Sequence, residues 1–214
     1  MQFSYIEQFF PKIKKIDLPG EKAQALMAPE SRKISLTQKY DFLNANRAGV
    51  LILFFPDSAD DVNFVLILRK TYKGVHSNQV ALPGGRYENE DRNLIQTALR
   101  ETEEEVGVAS SSVEVIRPMT ELYIPPSNFL VKPTLAKIDY QPVFTKQESE
   151  VEKIIPVKLK DFILPSCIKT RSIQTSHNKE KQVPIFDLNG HVVWGATAMM
   201  LSELREILKQ LQLI

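Results

Sequence analysis

The sequence predicts a mixed α/β domain, with strands on both sides of one central helix, and three observations carry that expectation. Two apolar runs, VLILFFP and NFVLILRK, are separated by the polar DSADDV, the pattern of a β-hairpin. From about Arg92 to Val106 the apolar residues recur with a helical period, and Gly107 stands where a left-handed cap would close the helix. Beyond it, VEVIRP, FLVKPTLAKI and VEKIIPVKL alternate or cluster like further strands.

Taken in order, residues 1–45 are expected to form an N-terminal helical extension packed on a domain of residues 46–214. Phe3, Ile6, Phe9, Phe10 and Ile13 lie near helical spacing, with breakers at Pro19–Gly20 and Pro29. QVALPGG (Gln79–Gly85) reads as a short strand running into a proline–glycine loop. On the central helix, Ile95, Ala98, Leu99, Thr102 and Val106 fall in one stripe roughly 100° wide, which is the predicted buried face. SIQTSHN and VPIFDL form a further strand pair around SHNKEK, and an amphipathic helix starting at Ala196 and ending near Leu213 closes the chain. That last helix can pack on the domain or join two subunits in a homodimer; the sequence leaves both open.

Composition narrows the function classes. The 214 residues carry 27 basic and 26 acidic side chains, for a net charge of +1. Such a balance gives no broad electrostatic footprint for nucleic acid or an anionic membrane. The longest apolar run, AGVLILFFP, is far too short to span a bilayer. The lone Cys167 cannot form an internal disulfide or a zinc–thiolate cluster, and MQFSYIEQFFPKIKK lacks the apolar core of a signal peptide. A reducing, cytoplasmic setting is the expectation.

Against that neutral background the helix ends in ETEEE, four carboxylates in five residues. Like charges at helical spacing repel by roughly 0.2–0.5 kcal/mol per pair. Here they crowd the helix C-terminus, where the macrodipole disfavours them further. Glu101, Glu104 and Glu105 share one arc of the helix, so they can converge on a point beside it, whereas Glu103 points elsewhere. A hard divalent cation such as Mg²⁺ or Mn²⁺ wants an oxygen-rich site of this kind and would relieve the repulsion. Arg100 can orient a carboxylate through a forked hydrogen bond. The loop Pro83–Gly84–Gly85 can lend a backbone carbonyl or admit a phosphate closely.

Arg100-Glu101-Thr102-Glu103-Glu104-Glu105-Val106-Gly107-Val108 resembles the second half of the Nudix box, R-E-U-x-E-E-x-G-U with U aliphatic. Thr102 replaces the aliphatic residue. The first half, G-x5-E-x7-R, corresponds to Gly85, five residues, Asp91, then eight residues to Arg100, so one residue is inserted and aspartate replaces glutamate. The same insertion and aspartate occur in the coenzyme A pyrophosphatase branch of Nudix hydrolases. That branch carries an upstream signature to which Val65–Gly85 is similar in spacing. Arg69, Pro83, Gly84 and Gly85 match it, while Gly74, Asn78 and Leu82 stand where arginine, glycine and phenylalanine are usual. VVWGATAMML (Val192–Leu201) resembles the branch's C-terminal helix entry.

The resemblance implies a Nudix α/β/α sandwich with a mixed sheet and a catalytic loop–helix–loop. It implies a Mg²⁺- or Mn²⁺-dependent diphosphatase acting on a small nucleotide: coenzyme A or acyl-coenzyme A, cut to 3′,5′-ADP and the 4′-phosphopantetheine part. Another nucleoside diphosphate derivative, or a module that binds without cutting, is the rival reading. On this resemblance Glu101, Glu104 and Glu105 are metal ligands, with the Gly84 carbonyl as a fourth. Glu104 or Glu150 is the general base, and Arg100 orients the acids. Arg69, Lys73 and Gly85 meet the substrate. His76, His177 and His191 read as structural, Trp194 as core, Tyr123 as a residue that could stack a base, and Cys167 as a buried small residue.

Overall fold

The computed structural model describes residues 1–30, 32, 42, 44–71, 78–174 and 180–214. Lys73, Gly74, His76 and His177 lie outside them. In chain order the strands are β1 (Asn46–Pro56), β2 (Val62–Arg69), β3 (Val80–Ala81), β4 (Gly84–Arg86), β5 (Glu114–Pro118) and β6 (Leu122–Ile124). They continue as β7 (Phe129–Lys137), β8 (Val151–Lys158), β9 (Ile168–Gln174), β10 (Glu180–Leu188) and β11 (His191–Val193). The helices are α1 (Phe3–Glu7), α2 (Phe10–Ile13), α3 (Gly20–Ala25), α4 (Leu94–Val106), α5 (Leu159–Phe162) and α6 (Gly195–Gln210).

β1 and β2 form the expected hairpin, but they pair only near the turn, over Phe54–Pro56 and Val62–Phe64. Beyond that they splay, and the next segment enters the gap. β3 pairs with Ile67 and Leu68 of β2, then β4 pairs with Ala48–Val50 of β1. The sequence expectation of a loop at Gly84–Gly85 is therefore corrected: both glycines are in a strand. Only glycine fits the first of these positions. Gly84 has φ +146°, and a Cβ there would run into the Gly49 carbonyl and Val50. On the outer sides, β7 runs parallel to β1 from Asn46 to Phe54, and β8 pairs antiparallel with β2. β5 and β6 extend the sheet from β7. A separate antiparallel sheet, β11–β10–β9, was not anticipated as a layer of its own.

The period of two along the central strands sorts side chains to the two faces. Leu51, Leu53, Phe55, Val65 and Ile67 pack with Ala98 and Val106 of α4. Ile52, Phe54, Phe64 and Leu66 pack on the other side with Phe3, Ile6, Phe10 and Ile13 of the N-terminal helices and with Leu201, Leu204 and Leu208 of α6. The described helices of residues 1–30 therefore share one core with the sheet, and α6 buries its apolar face in it. No described helix is long and apolar enough to cross a membrane.

Three local devices set α4 in place. Asn93 caps its start, accepting from the backbone N–H of Ile95 and Gln96, and Gly107 closes it at φ +77°. Gly49 lets the helix lie directly on β1, since a Cβ there would collide with the Leu94 carbonyl. The buried face differs from the one predicted: Leu94, Thr97, Ala98, Thr102, Glu105 and Val106 are buried, while Ile95 and Leu99 are only half-buried. Hydrophobicity alone misplaces the stripe because two buried members, Thr97 and Glu105, are polar; the threonine that was expected there, Thr102, is also satisfied locally. Its Oγ1 donates to the Ala98 carbonyl at 2.6 Å, so it packs as an aliphatic residue would.

Candidate active site

The wedge strand β4 runs beside the acidic end of α4, and each glycine receives one carboxylate. The Gly84 N–H donates to Glu105 Oε2 at 2.8 Å. Gly85 is the seat of Glu101, because a Cβ at Gly85 would overlap that carboxyl group. Glu105 is 1% exposed, and burial raises its pKa to about 8, against the lowering effects of the Gly84 N–H and Arg69. Burial likewise raises the pKa of Glu101; Arg100 opposes this, and the charges of Glu104 and Glu150 add to it.

Glu104 is the exposed member of the three, held at 3.3 Å by Arg100 Nη1. Glu103 turns away, accepting from the N–H and hydroxyl of Ser110 at 2.9 and 2.7 Å, as the helical geometry requires. The sequence expectation that all three acids meet at one point is not met as they stand. Among the described residues no three acidic, histidine or cysteine groups are gathered at metal-holding distance. Each carboxylate has instead been drawn to the nearest donor: Glu105 to Gly84, and Glu101 and Glu104 to Arg100.

Arg100 is the hub of the face. Its Nε and Nη2 fork onto Asp91 at 3.0 and 3.1 Å, its Nη1 contacts Glu101 at 2.9 Å, and Nη2 also donates to the Arg86 carbonyl at 3.1 Å. Asp91 also accepts from the Glu88 N–H and from Thr97 Oγ1 at 3.1 and 2.9 Å. The Arg100 hydrogen bonds hold its pKa down to about 2. One side chain thus ties the β4–α4 loop, the strand and two acids together. Asp91 was singled out in the sequence only for its spacing, and Thr97, its buried partner, was missed. The cap signature Asn93-x-x-Gln96 was the signal available for this turn.

Arg69 closes the far side. Its guanidinium lies 3.6 Å from Glu105 and 4.0 Å from Glu150, so it bridges the buried acid and an exposed one. Glu150 is carried close by the loop before β8, where the Glu150 carbonyl accepts from Lys70 N–H and the Gln147 N–H donates to the Glu105 carbonyl. Tyr123 packs on Phe42 with ring centroids 5.3 Å apart, and Cys167 is buried. The chemistry of the donor set suits a hard divalent cation: carboxylate oxygens on one helix face, two of them crowded by burial, with a side-chain-free strand opposite.

With this geometry in view, comparison with known proteins gives the class. Residues 45–162, more than half of the chain, match the NUDIX domain, and the chain belongs to the Nudix family. Members generally work with divalent metal ions. A protein of Caenorhabditis elegans named peroxisomal coenzyme A diphosphatase ndx-8 is 30% identical over 155 residues, 72% of this chain and 64% of that protein. Nudix hydrolase 15, mitochondrial, of Arabidopsis thaliana is 30% identical over 175 residues, 78% of this chain and 60% of that one. The chain therefore spans less than two thirds of the length of these relatives. The crystal structure of the Nudix hydrolase RenU of M. smegmatis superposes with a TM-score of 0.53 at 14% identity, covering 78% of this chain and 87% of that one. That likeness concerns the fold, a mixed sheet between helical layers.

Proposed function

We propose that the chain is a metal-dependent diphosphatase that hydrolyses coenzyme A or acyl-coenzyme A to 3′,5′-ADP and the 4′-phosphopantetheine part. The observation that carries the reading is the pairing of Glu101 and Glu105 with the glycine strand Gly84–Gly85, beside Arg69. The coenzyme A assignment draws support from the inserted residue before Arg100, from Asp91, and from the printed name of the worm relative.

In this reading Glu101, Glu104 and Glu105 hold the cation, with the Gly84 carbonyl beside them. A cation held there would neutralise diphosphate oxygens and lower the pKa of an attacking water. Arg100 keeps Glu101 and Glu104 aimed at the site by anchoring itself on Asp91. Glu104 or Glu150, both solvent-accessible, accepts the water's proton. Arg69 and Lys73 attract diphosphate oxygens, and Gly85, which makes room for the Glu101 carboxyl group, meets the substrate through its backbone. A reducing compartment such as the cytoplasm suits a chain whose single cysteine is buried.

A second reading has a specific basis: Gly74 and Asn78 depart from the coenzyme A signature, which favours another nucleoside diphosphate derivative such as ADP-ribose or a dinucleotide. A non-cutting sensor fits less well, because the box carboxylates are all present. Incubation with Mg²⁺ or Mn²⁺ and a panel of coenzyme A, ADP-ribose, NADH and dinucleoside polyphosphates, read by mass spectrometry, separates them. Release of 3′,5′-ADP from coenzyme A is the expected result; cleavage of other panel members alone removes the coenzyme A reading.

A further inference from the structure

A cleft of about 400 Å³ opens between the end of β4 and the first turn of α4. Leu94, Ile95 and Pro118 give it an apolar wall, Tyr87 an exposed aromatic ring, and Arg47 and Lys132 its charge. Nothing in the proposed chemistry uses these residues. Arg47 and Lys132 both contact Glu121 Oε1, at 2.9 and 3.4 Å. Two cations share one carboxylate, so one positive charge is left over at the mouth of the cleft. The Tyr87 N–H donates to the Arg47 carbonyl at 2.9 Å, which fixes the ring's backbone against the strand that bears the cation.

The segment after β4 and the start of α4 line the cleft, and β4 and α4 carry the acidic face. Along β4, Gly85 seats Glu101, the Arg86 carbonyl meets Arg100, and Tyr87 follows. Two residues of extended chain separate the Glu101 seat from Tyr87, about 7 Å. Along α4, six residues separate Ile95 from Glu101, about 9 Å. A ribose with its base spans such a gap. An aromatic ring takes the flat face of a base, and a surplus cationic pair takes a phosphate monoester.

We infer that this cleft binds the nucleoside end of the substrate, stacking the base on Tyr87 and holding a ribose phosphate monoester between Arg47 and Lys132. This rests on the reading of the substrate as a nucleoside diphosphate derivative and sharpens it, since the extra monoester separates coenzyme A from ADP-ribose and dinucleotides. Calorimetric titration with adenosine 3′,5′-bisphosphate and with 5′-AMP tests the cleft without turnover. The wild type should bind the bisphosphate at least about tenfold more tightly than AMP. The Arg47→Ala/Lys132→Ala double variant should bring the two within about twofold. Tyr87→Ala should weaken both about tenfold and leave their ratio intact. Arg47→Lys with Lys132→Arg, which keeps both charges beside Glu121, should preserve the ratio and so separates phosphate binding from loss of the ion pairs. A ratio near one in the wild type, or a ratio unchanged in the double alanine variant, overturns the inference. Coenzyme A hydrolysis measured in parallel keeps the two readings apart. A charge-dependent ratio without cleavage leaves the cleft standing and removes the hydrolytic reading, whereas cleavage without the ratio removes the cleft alone.

Discussion

Glu105 on α4 and Glu203 on α6 are both buried glutamates, 1% and 0% exposed, and burial is the leading cause that raises the pKa of each. Their surroundings differ. Glu203 accepts from Gly20 N–H at 3.2 Å, Thr120 Oγ1 at 2.6 Å and Gln24 Nε2 at 3.3 Å, so its two oxygens share three donors. Those donors tie α3 and the β5–β6 connection to the last helix. Glu105 accepts one N–H, from Gly84, and faces Arg69 at 3.6 Å, beyond hydrogen-bond reach. It also lies within the field of two further acids, Glu101 and Glu150. A buried carboxylate given donors in the fold is a structural joint. One short of donors and near other carboxylates is the kind of group a cation would satisfy, which is where the proposed metal site lies.

The largest stability effect should come from the joint. Glu203→Ala strands three buried donors and should cost roughly 2–4 kcal/mol in urea denaturation, while turnover per folded molecule stays within about twofold. Lost turnover with unchanged stability would reverse the two roles. Gly85→Ala tests the site from the opposite strand. The new Cβ displaces only the flexible end of Glu101, so turnover should fall about tenfold to a hundredfold with little change in Tm. Full activity would mean that the Glu101 seat is unimportant.

The smallest effect concerns the anchor that ties the loop before α4 to the helix. The Arg100 hydrogen bonds hold Asp91 at about 2, below its ordinary 3.8. A lowered carboxylate pKa stabilises the fold above the unfolded value, and the stabilisation is lost as pH falls through the folded value. Asp91→Asn should therefore cost about 1–2 kcal/mol at neutral pH, with the gap to wild type closing as pH drops from about 4 towards 2. A gap that stays constant with pH would place the Asp91 contribution in shape and not in charge.

Much of this contrast was legible in the residues. The 3.6-residue period separates Glu103 from its neighbours, and the structure puts Glu103 on Ser110, away from the face. The same period misplaced the buried stripe, because Thr97 and Glu105 are buried through hydrogen bonds to Asp91 and Gly84 that no hydrophobicity scale counts. The entry of β3 and β4 between β1 and β2 depends on pairings the local pattern does not carry, and those of β4 join residues more than thirty positions apart, such as Val50 with Gly84. Composition marked Gly84 and Gly85 as permissive, yet only the strand pairing says what comes close to them. Asp91 stood out by its spacing alone; its partnership with Arg100 and Thr97 belongs to the folded loop.

The central claim is that the α4 face is a cation site built around Glu105, unlike the joint at Glu203. Calorimetric titration of Mn²⁺ into the wild type, Glu105→Gln and Glu203→Gln tests it directly. Saturable binding by the wild type, weakened at least about tenfold in Glu105→Gln and unchanged in Glu203→Gln, is the expected result. Equal Mn²⁺ affinity in wild type and Glu105→Gln would contradict it.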